Sequence, residues 1–201
     1  MVDVVQLVRA SDCGSECRGF EPHRPPKSGN SNYGVSAFIF LHNEITTMTH
    51  RILFVCLGNI CRSAAAEGIM KHIVEHNNLA NDFVIDSAGT SGWHAGELPD
   101  RRMRSHGADH GYDFSSRSRQ FQTEDFDKFD YIIAMDNENF HDIISMARNE
   151  DDKKKVSYLT DYTQNHPNQR YVPDPYYGGD KGFDLVIELL EDGCWIRRHS
   201  P

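Results

Sequence analysis

The feature that most limits how this chain can fold is a junction between Ile52 and Lys71. Ile52-Leu53-Phe54-Val55 is an unbroken apolar run, the pattern of a strand covered on both faces. The loop Cys56-Leu57-Gly58-Asn59-Ile60-Cys61-Arg62-Ser63 follows it. Ser63-Ala64-Ala65-Ala66-Glu67-Gly68-Ile69-Met70-Lys71 then reads as a helix, with Ser63 as its N-cap and Ile69, Ile73 and Val74 at helical spacing. A strand buried on both faces needs a layer on each side, and a helix directly after it supplies the first.

The alternation continues. Residues 83–85, 131–135 and 156–159 read as further strands, and 101–110, 139–147 and 183–191 as helices, with stops near Gly111 and Gly193. This order predicts an α/β domain with a mostly parallel sheet covered by helices, and ligands beyond the carboxyl ends of its strands. Residues 1–48 differ: from Asp12 to Gly34 the chain is rich in Gly, Pro, Ser and Asn, a composition that favours loop or disorder. They are expected to be an extension, disordered or partly docked through the apolar island 35–41, with Met48 as a natural start. The domain itself is expected over 49–194, with 195–201 as a short tail.

The loop at residues 56–63 carries the chemistry. A Cys and an Arg six apart are weak evidence alone, but here the Cys ends a buried strand and a helix opens behind the Arg. Gly58 and Asn59 are suited to left-handed backbone angles. Such a loop turns successive amides inward as a nest for an anion, and the helix N-terminus adds partial positive charge. A thiolate there is stabilised and reactive. The planar fork of Arg62 can grip two phosphate oxygens, and the Ser63 hydroxyl can donate to the thiolate. The bland alternative, a core cysteine beside a surface arginine, leaves this setting unexplained. Expelling an alkoxide or phenolate from a phosphoester also needs a proton donor. Val172-Pro173-Asp174-Pro175-Tyr176-Tyr177-Gly178 offers Asp174, held between prolines and followed by two aromatics that can flank a flat ring. Taken by itself this segment reads equally as a surface turn.

CLGNICRSAAAE, DSAGTSGW, FDYIIAMDNEN and DPYYGG, in that order, resemble the low-molecular-weight protein tyrosine phosphatase family from about residue 50 to about residue 194. The resemblance implies a single domain with a four-stranded parallel sheet, a phosphocysteine intermediate, and no metal or cofactor. It makes Cys56 the nucleophile, Arg62 the clamp, and Asp174 the acid and then the base. Leu57, Gly58, Asn59, Ile60, Cys61 and Ser63 fall in the phosphate-binding loop, and Ser87 supports Asn59. Leu57, Ile60, Trp93, Tyr176 and Tyr177 match the cleft walls. The substrate implied is a phosphotyrosine-containing protein. Three features depart from the pattern. Ser116 stands where the family often has a His packed behind the loop, which predicts a less rigid loop. The last helix usually continues past the position of Cys194. Residues 1–48 have no counterpart.

Rival readings share the fold or the site. An arsenate reductase of this fold relays a disulfide through two downstream cysteines, and no Cys stands between Ser63 and Gly193. A phosphoarginine phosphatase tends to carry Thr at the position of Ile60, which here suits an aromatic ring. A non-catalytic anion-binding regulator would need neither the thiol nor the acid. Composition narrows the setting further. The net charge is -9, and residues 51–201 hold 17 Lys/Arg against 25 Asp/Glu, a poor match to nucleic acid. No apolar run reaches membrane-spanning length and no secretory leader is visible. Five cysteines at irregular spacing fit a reducing cytoplasm better than a disulfide framework.

Overall fold

The computed structural model describes residues 49–194. The expectations for 1–48, including docking of 35–41, and for 195–201 with Trp195 and Ile196 lie outside the described residues.

Strand β1 (His50–Cys56) explains the apolar run. Its side chains alternate between two cores: Ile52, Phe54 and Cys56 enter one, Leu53 and Val55 the other. All five are at most 3% exposed, so neither face tolerates a polar residue. Beside it stand β2 (Phe83–Gly89), β3 (Tyr131–Ala134) and β4 (Val156–Tyr158). The order is β2-β1-β3-β4 and every pairing is parallel. This is the single α/β domain with a four-stranded parallel sheet that the sequence implied.

Helices α1 (Arg62–His76), α2 (Arg101–Asp109) and α6 (Asp180–Gly193) contribute to the first core through residues such as Ile69, Met103 and Phe183. On the other face, α3 (Asp125–Lys128) and α4 (Asn137–Met146) close the second core with Phe126 and Ile143. A short α5 (Glu150–Lys154) precedes β4. Fully burying a side chain such as Phe54 or Phe183 stabilises the fold by about 1.5–3 kcal/mol.

The structure corrects several boundaries. β2 continues past 85 through Asp86, Ser87, Ala88 and Gly89, which pair in register with Leu53, Phe54, Val55 and Cys56. Ser63 is not the N-cap of α1. Cys61 holds that position without a side-chain bond, because the Ser63 hydroxyl is engaged elsewhere. The helix at 139 begins earlier because Asp136 Oδ1 accepts from Asn139 N at 2.8 Å and caps it. The last helix likewise starts at Asp180 rather than at 183.

The sheet order positions the site. From β1 the chain crosses to β2 on one side, then returns to place β3 on the other side of β1. The reversal leaves a crevice at the carboxyl ends of β1 and β3. Cys56 ends β1, and Asp136 follows close behind β3.

Candidate active site

The loop from Cys56 to Arg62 is braced from behind by two neighbouring segments. Thr90 N donates to Cys56 O at 2.8 Å and Ser91 N to Leu57 O at 2.9 Å, so the chain leaving β2 extends the pairing onto the loop. At Gly89 a side chain has no room: a Cβ there would lie 2.7 Å from Leu57 O and 2.9 Å from Ser91 O. From the second segment, Ser118 Oγ donates to Gly58 O at 3.1 Å and Arg119 N to Asn59 Oδ1 at 2.9 Å.

Asn59 takes the left-handed conformation, with φ 55°; Gly58 does not. What Gly58 supplies is room, since a Cβ would approach His94 Cδ2 to 3.1 Å. The Asn59 amide donates to Ser63 Oγ at 2.9 Å and to Ser87 Oγ at 2.8 Å. Ser63 Oγ lies 3.0 Å from Cys56 Sγ and donates to Ala88 O at 3.2 Å. These contacts explain why Ser63 is free of capping duty. Ser87 therefore sits behind the loop and touches it through Asn59.

Arg62 is 3% exposed. Its Nη1 donates to Asp136 Oδ2 at 2.5 Å and to Val172 O at 3.2 Å, and its Nη2 to Asp174 Oδ2 at 3.1 Å. Burial opposes its charge, but the negative groups of Cys56, Asp174 and Asp136 outweigh that and raise its pKa. Cys61 is different. Burial first, then repulsion from Cys56, Asp100 and Asp174, pushes its thiol far up, so Cys61 stays protonated at neutral pH while sharing the loop with Cys56.

The cleft above the loop has a volume of about 230 Å³. Cys56, Cys61 and Arg62 lie along it; Leu57, Ile60, Trp93, Tyr176 and Tyr177 wall it, with Asp174 at its edge. Trp93 is 81% exposed and Tyr177 95%, an apolar rim that would otherwise be costly to leave in water. The Asp174 loop is pinned at two points. Asp174 Oδ1 accepts from Tyr176 N at 3.0 Å, and Arg102 Nη1 from α2 donates to Tyr176 O at 3.0 Å.

Of the residues expected from the sequence, loop residues 56–58 and 60–62, Trp93, Asp174, Tyr176 and Tyr177 border one cleft, while Asn59, Ser63 and Ser87 lie behind it, joined by hydrogen bonds. Others at the site went unnoticed. Asp136 holds Arg62; its signal was its place just beyond a strand's carboxyl end. His94 lines the cleft, with its Nδ1 2.8 Å from Glu97 Oε2. Gly89 and Glu67 stand behind the loop; both lie within the motifs quoted above, but their local sequence gives neither a chemical role. Ser116 is half-buried beside a cavity of about 150 Å³.

A thiol and a guanidinium fork on one loop at the switch point of a parallel sheet, with a carboxyl group on the fork, form a site for a tetrahedral oxyanion. Comparison with known proteins narrows this. The family model described as low molecular weight phosphotyrosine protein phosphatase matches residues 51–196. A putative low molecular weight protein-tyrosine-phosphatase of Synechocystis is 49% identical over 144 residues, covering 72% of this chain and 91% of that protein. The crystal structure of a protein tyrosine phosphatase from Entamoeba histolytica superimposes with a TM-score of 0.70 at 45% identity, covering 73% of this chain and 92% of that one. Drosophila arginine phosphatase gives 0.64 at 34% identity, covering 71% and 92%. The chain belongs to the low molecular weight phosphotyrosine protein phosphatase family, a family of hydrolases.

Proposed function

We propose that this protein hydrolyses phosphotyrosine on protein substrates at Cys56. The observation that carries the reading is the convergence of Cys56, Arg62 and Asp174 on one cleft, with Arg62 3.1 Å from Asp174 and Ser63 3.0 Å from Cys56. The phosphate enters above the loop, and Arg62 exchanges its carboxylate partners for phosphate oxygens. Asp174, released by Arg62, takes up a proton from solvent; the Cys56 thiolate then attacks phosphorus, breaking the P–O bond, while Asp174 gives that proton to the departing phenolic oxygen. Water then attacks the phosphocysteine; Asp174 takes its proton and free phosphate leaves.

Ile60 and the aromatic rim favour a flat phenyl ring over the guanidinium of phosphoarginine. The missing downstream cysteines count against arsenate reduction, and a binding module would have no use for Asp174. The site works without metal or cofactor in this scheme. No helix among the described residues is long and apolar enough to cross a membrane. With the acidic surface and free thiols, this suits a cytoplasmic enzyme acting on protein rather than nucleic acid.

The test is hydrolysis of para-nitrophenyl phosphate, then of phosphotyrosine, phosphoserine and phosphoarginine peptides side by side. Phosphotyrosine should be strongly preferred, and Cys56→Ser should bind vanadate without turnover. Preference for phosphoarginine would overturn the substrate. Turnover by Cys56→Ser above about a hundredth of wild type would overturn the nucleophile.

A further inference from the structure

Behind the loop, on the side away from the cleft, lies a charged pair that the reaction scheme leaves unused. Glu67 is 3% exposed. Its Oε2 accepts from Ser87 Oγ at 2.5 Å and its Oε1 from Lys71 Nζ at 2.5 Å. The Lys71 side chain is 48% exposed. Both residues border the 150 Å³ cavity that also meets Ser115 and Ser116. Position 116, where the resemblance leads one to expect a His, carries only a small hydroxyl at this cavity.

The donors and acceptors here have a direction. An ionised carboxylate only accepts, so the one hydroxyl proton of Ser87 goes to Glu67. Ser87 is left to accept from Asn59 Nδ2. Asn59 cannot turn its amide over, because Oδ1 takes the Arg119 N–H. Its other amide proton goes to Ser63 Oγ. Ser63 then receives on that side and keeps its own proton for Cys56 Sγ or Ala88 O. A continuous chain of bonds thus runs from Lys71 through Glu67, Ser87, Asn59 and Ser63 to Cys56.

A carboxylate this deeply buried needs a partner to keep its charge. Among the described residues Lys71 is the one cation paired with it. An exposed pair four residues apart on a helix usually contributes little; this one differs because its acidic end is buried inside the loop's support. We infer that Lys71 is a positioning residue for the reaction at Cys56: by pairing with Glu67 Oε1 it fixes the buried carboxylate that anchors the Ser87–Asn59–Ser63 chain. The inference rests on the reading of Cys56 as nucleophile.

The test uses the full chain as Lys71→Met, Lys71→Arg, Glu67→Gln and the Glu67→Gln/Lys71→Met double variant. Two quantities are read: kcat and KM on para-nitrophenyl phosphate, and the rate of Cys56 alkylation by iodoacetate, located by mass spectrometry. Lys71→Met should lower kcat by about three- to tenfold, the range expected within one hydrogen-bond network, with KM little changed, and slow alkylation similarly. Lys71→Arg should stay within about twofold of wild type. In the Glu67→Gln background, Lys71→Met should have no further effect. Three results would each overturn the inference: wild-type behaviour of Lys71→Met, equal damage from Lys71→Arg, or an undiminished Lys71 effect when Glu67 is already neutral. Alkylation needs no substrate turnover. A wild type that hydrolyses nothing would sink the phosphatase reading, and the alkylation rates would still decide the role of Lys71.

Discussion

Asp174 is held by Arg62 on one oxygen and by its own loop on the other; when phosphate takes Arg62, the bond from Tyr176 N still holds the carboxyl group at the cleft. If it protonates the leaving group, its removal should matter most where the leaving group is poor. Asp174→Ala should lower kcat by about 10²–10⁴-fold on phenyl phosphates with high leaving-group pKa, and much less on those with low pKa. A uniform loss across a leaving-group series would assign Asp174 a structural role. The residues at the mouth of the site were readable because each has a chemical reason to be where it is: a thiol, a fork, an acid between prolines. Asp136, Gly89 and Glu67 were not. Their significance arises from contacts with Arg62, Leu57 and Ser87, distant in sequence, and a single sequence carries no record of which segments meet. Ser63 misled for a related reason. A serine at the start of a helix reads as a cap until its hydroxyl is seen to have a nearer partner in Cys56.

Among the elements, α1 and α2 meet across Phe114, which is 2% exposed. Both helices present a glycine to its ring: a Cβ at Gly68 would lie 2.5 Å from Phe114 Cδ1, and one at Gly107 would be closer still. Alanine in place of glycine inside a helix usually stabilises by about 1 kcal/mol. Here Gly68→Ala and Gly107→Ala should instead destabilise by about 1–3 kcal/mol through overpacking, read from urea unfolding midpoints. A rise in stability would show that the ring moves aside freely. A second tie joins α6 to the segment before Asp174. His166 bonds to Asp192 and Glu188, each at 3.1 Å, and Asp192 also accepts from Gln164 N and Asn165 N. The bond to Asp192, with help from Glu188, raises the pKa of His166 above 6.5 despite some burial. A raised folded-state value stabilises fully below the unfolded pKa, and that contribution is lost as pH rises through the folded one. The melting temperature should therefore fall as pH rises above about 6.5, and His166→Gln should remove that part of the slope. An unchanged slope in the variant would discount the tie. Long elements with clear periodicity, β1 and α1 above all, were legible. The four-residue α3 and five-residue α5 were not, being too short for any period to show. The second half of β2 was hidden because Asp86 and Ser87 interrupt its apolar pattern while serving Arg119 and the loop.

At the scale of the molecule, the family model begins at residue 51, and the matched region alone spans 91% of the Synechocystis relative. We therefore expect residues 49–194 to constitute the catalytic domain. A chain lacking residues 2–47 should keep kcat/KM and lose little melting temperature. A large drop in melting temperature would mean that the leading segment stabilises the domain. The parallel sheet and its carboxyl-end crevice were legible because alternating strands and helices leave few other arrangements, whereas strand order needs contacts that no single strand encodes. The occupied state of Arg62 has a consequence for how the enzyme meets anions. Its fork already holds two internal carboxylates, so ligand entry is a replacement reaction. The observed affinity for phosphate is the difference between two sets of bonds. Weak product binding and a strongly held transition state are then compatible, because a group that merely equals Asp136 and Asp174 gains nothing from Arg62, and only one whose oxygens fit the fork better gains from the exchange.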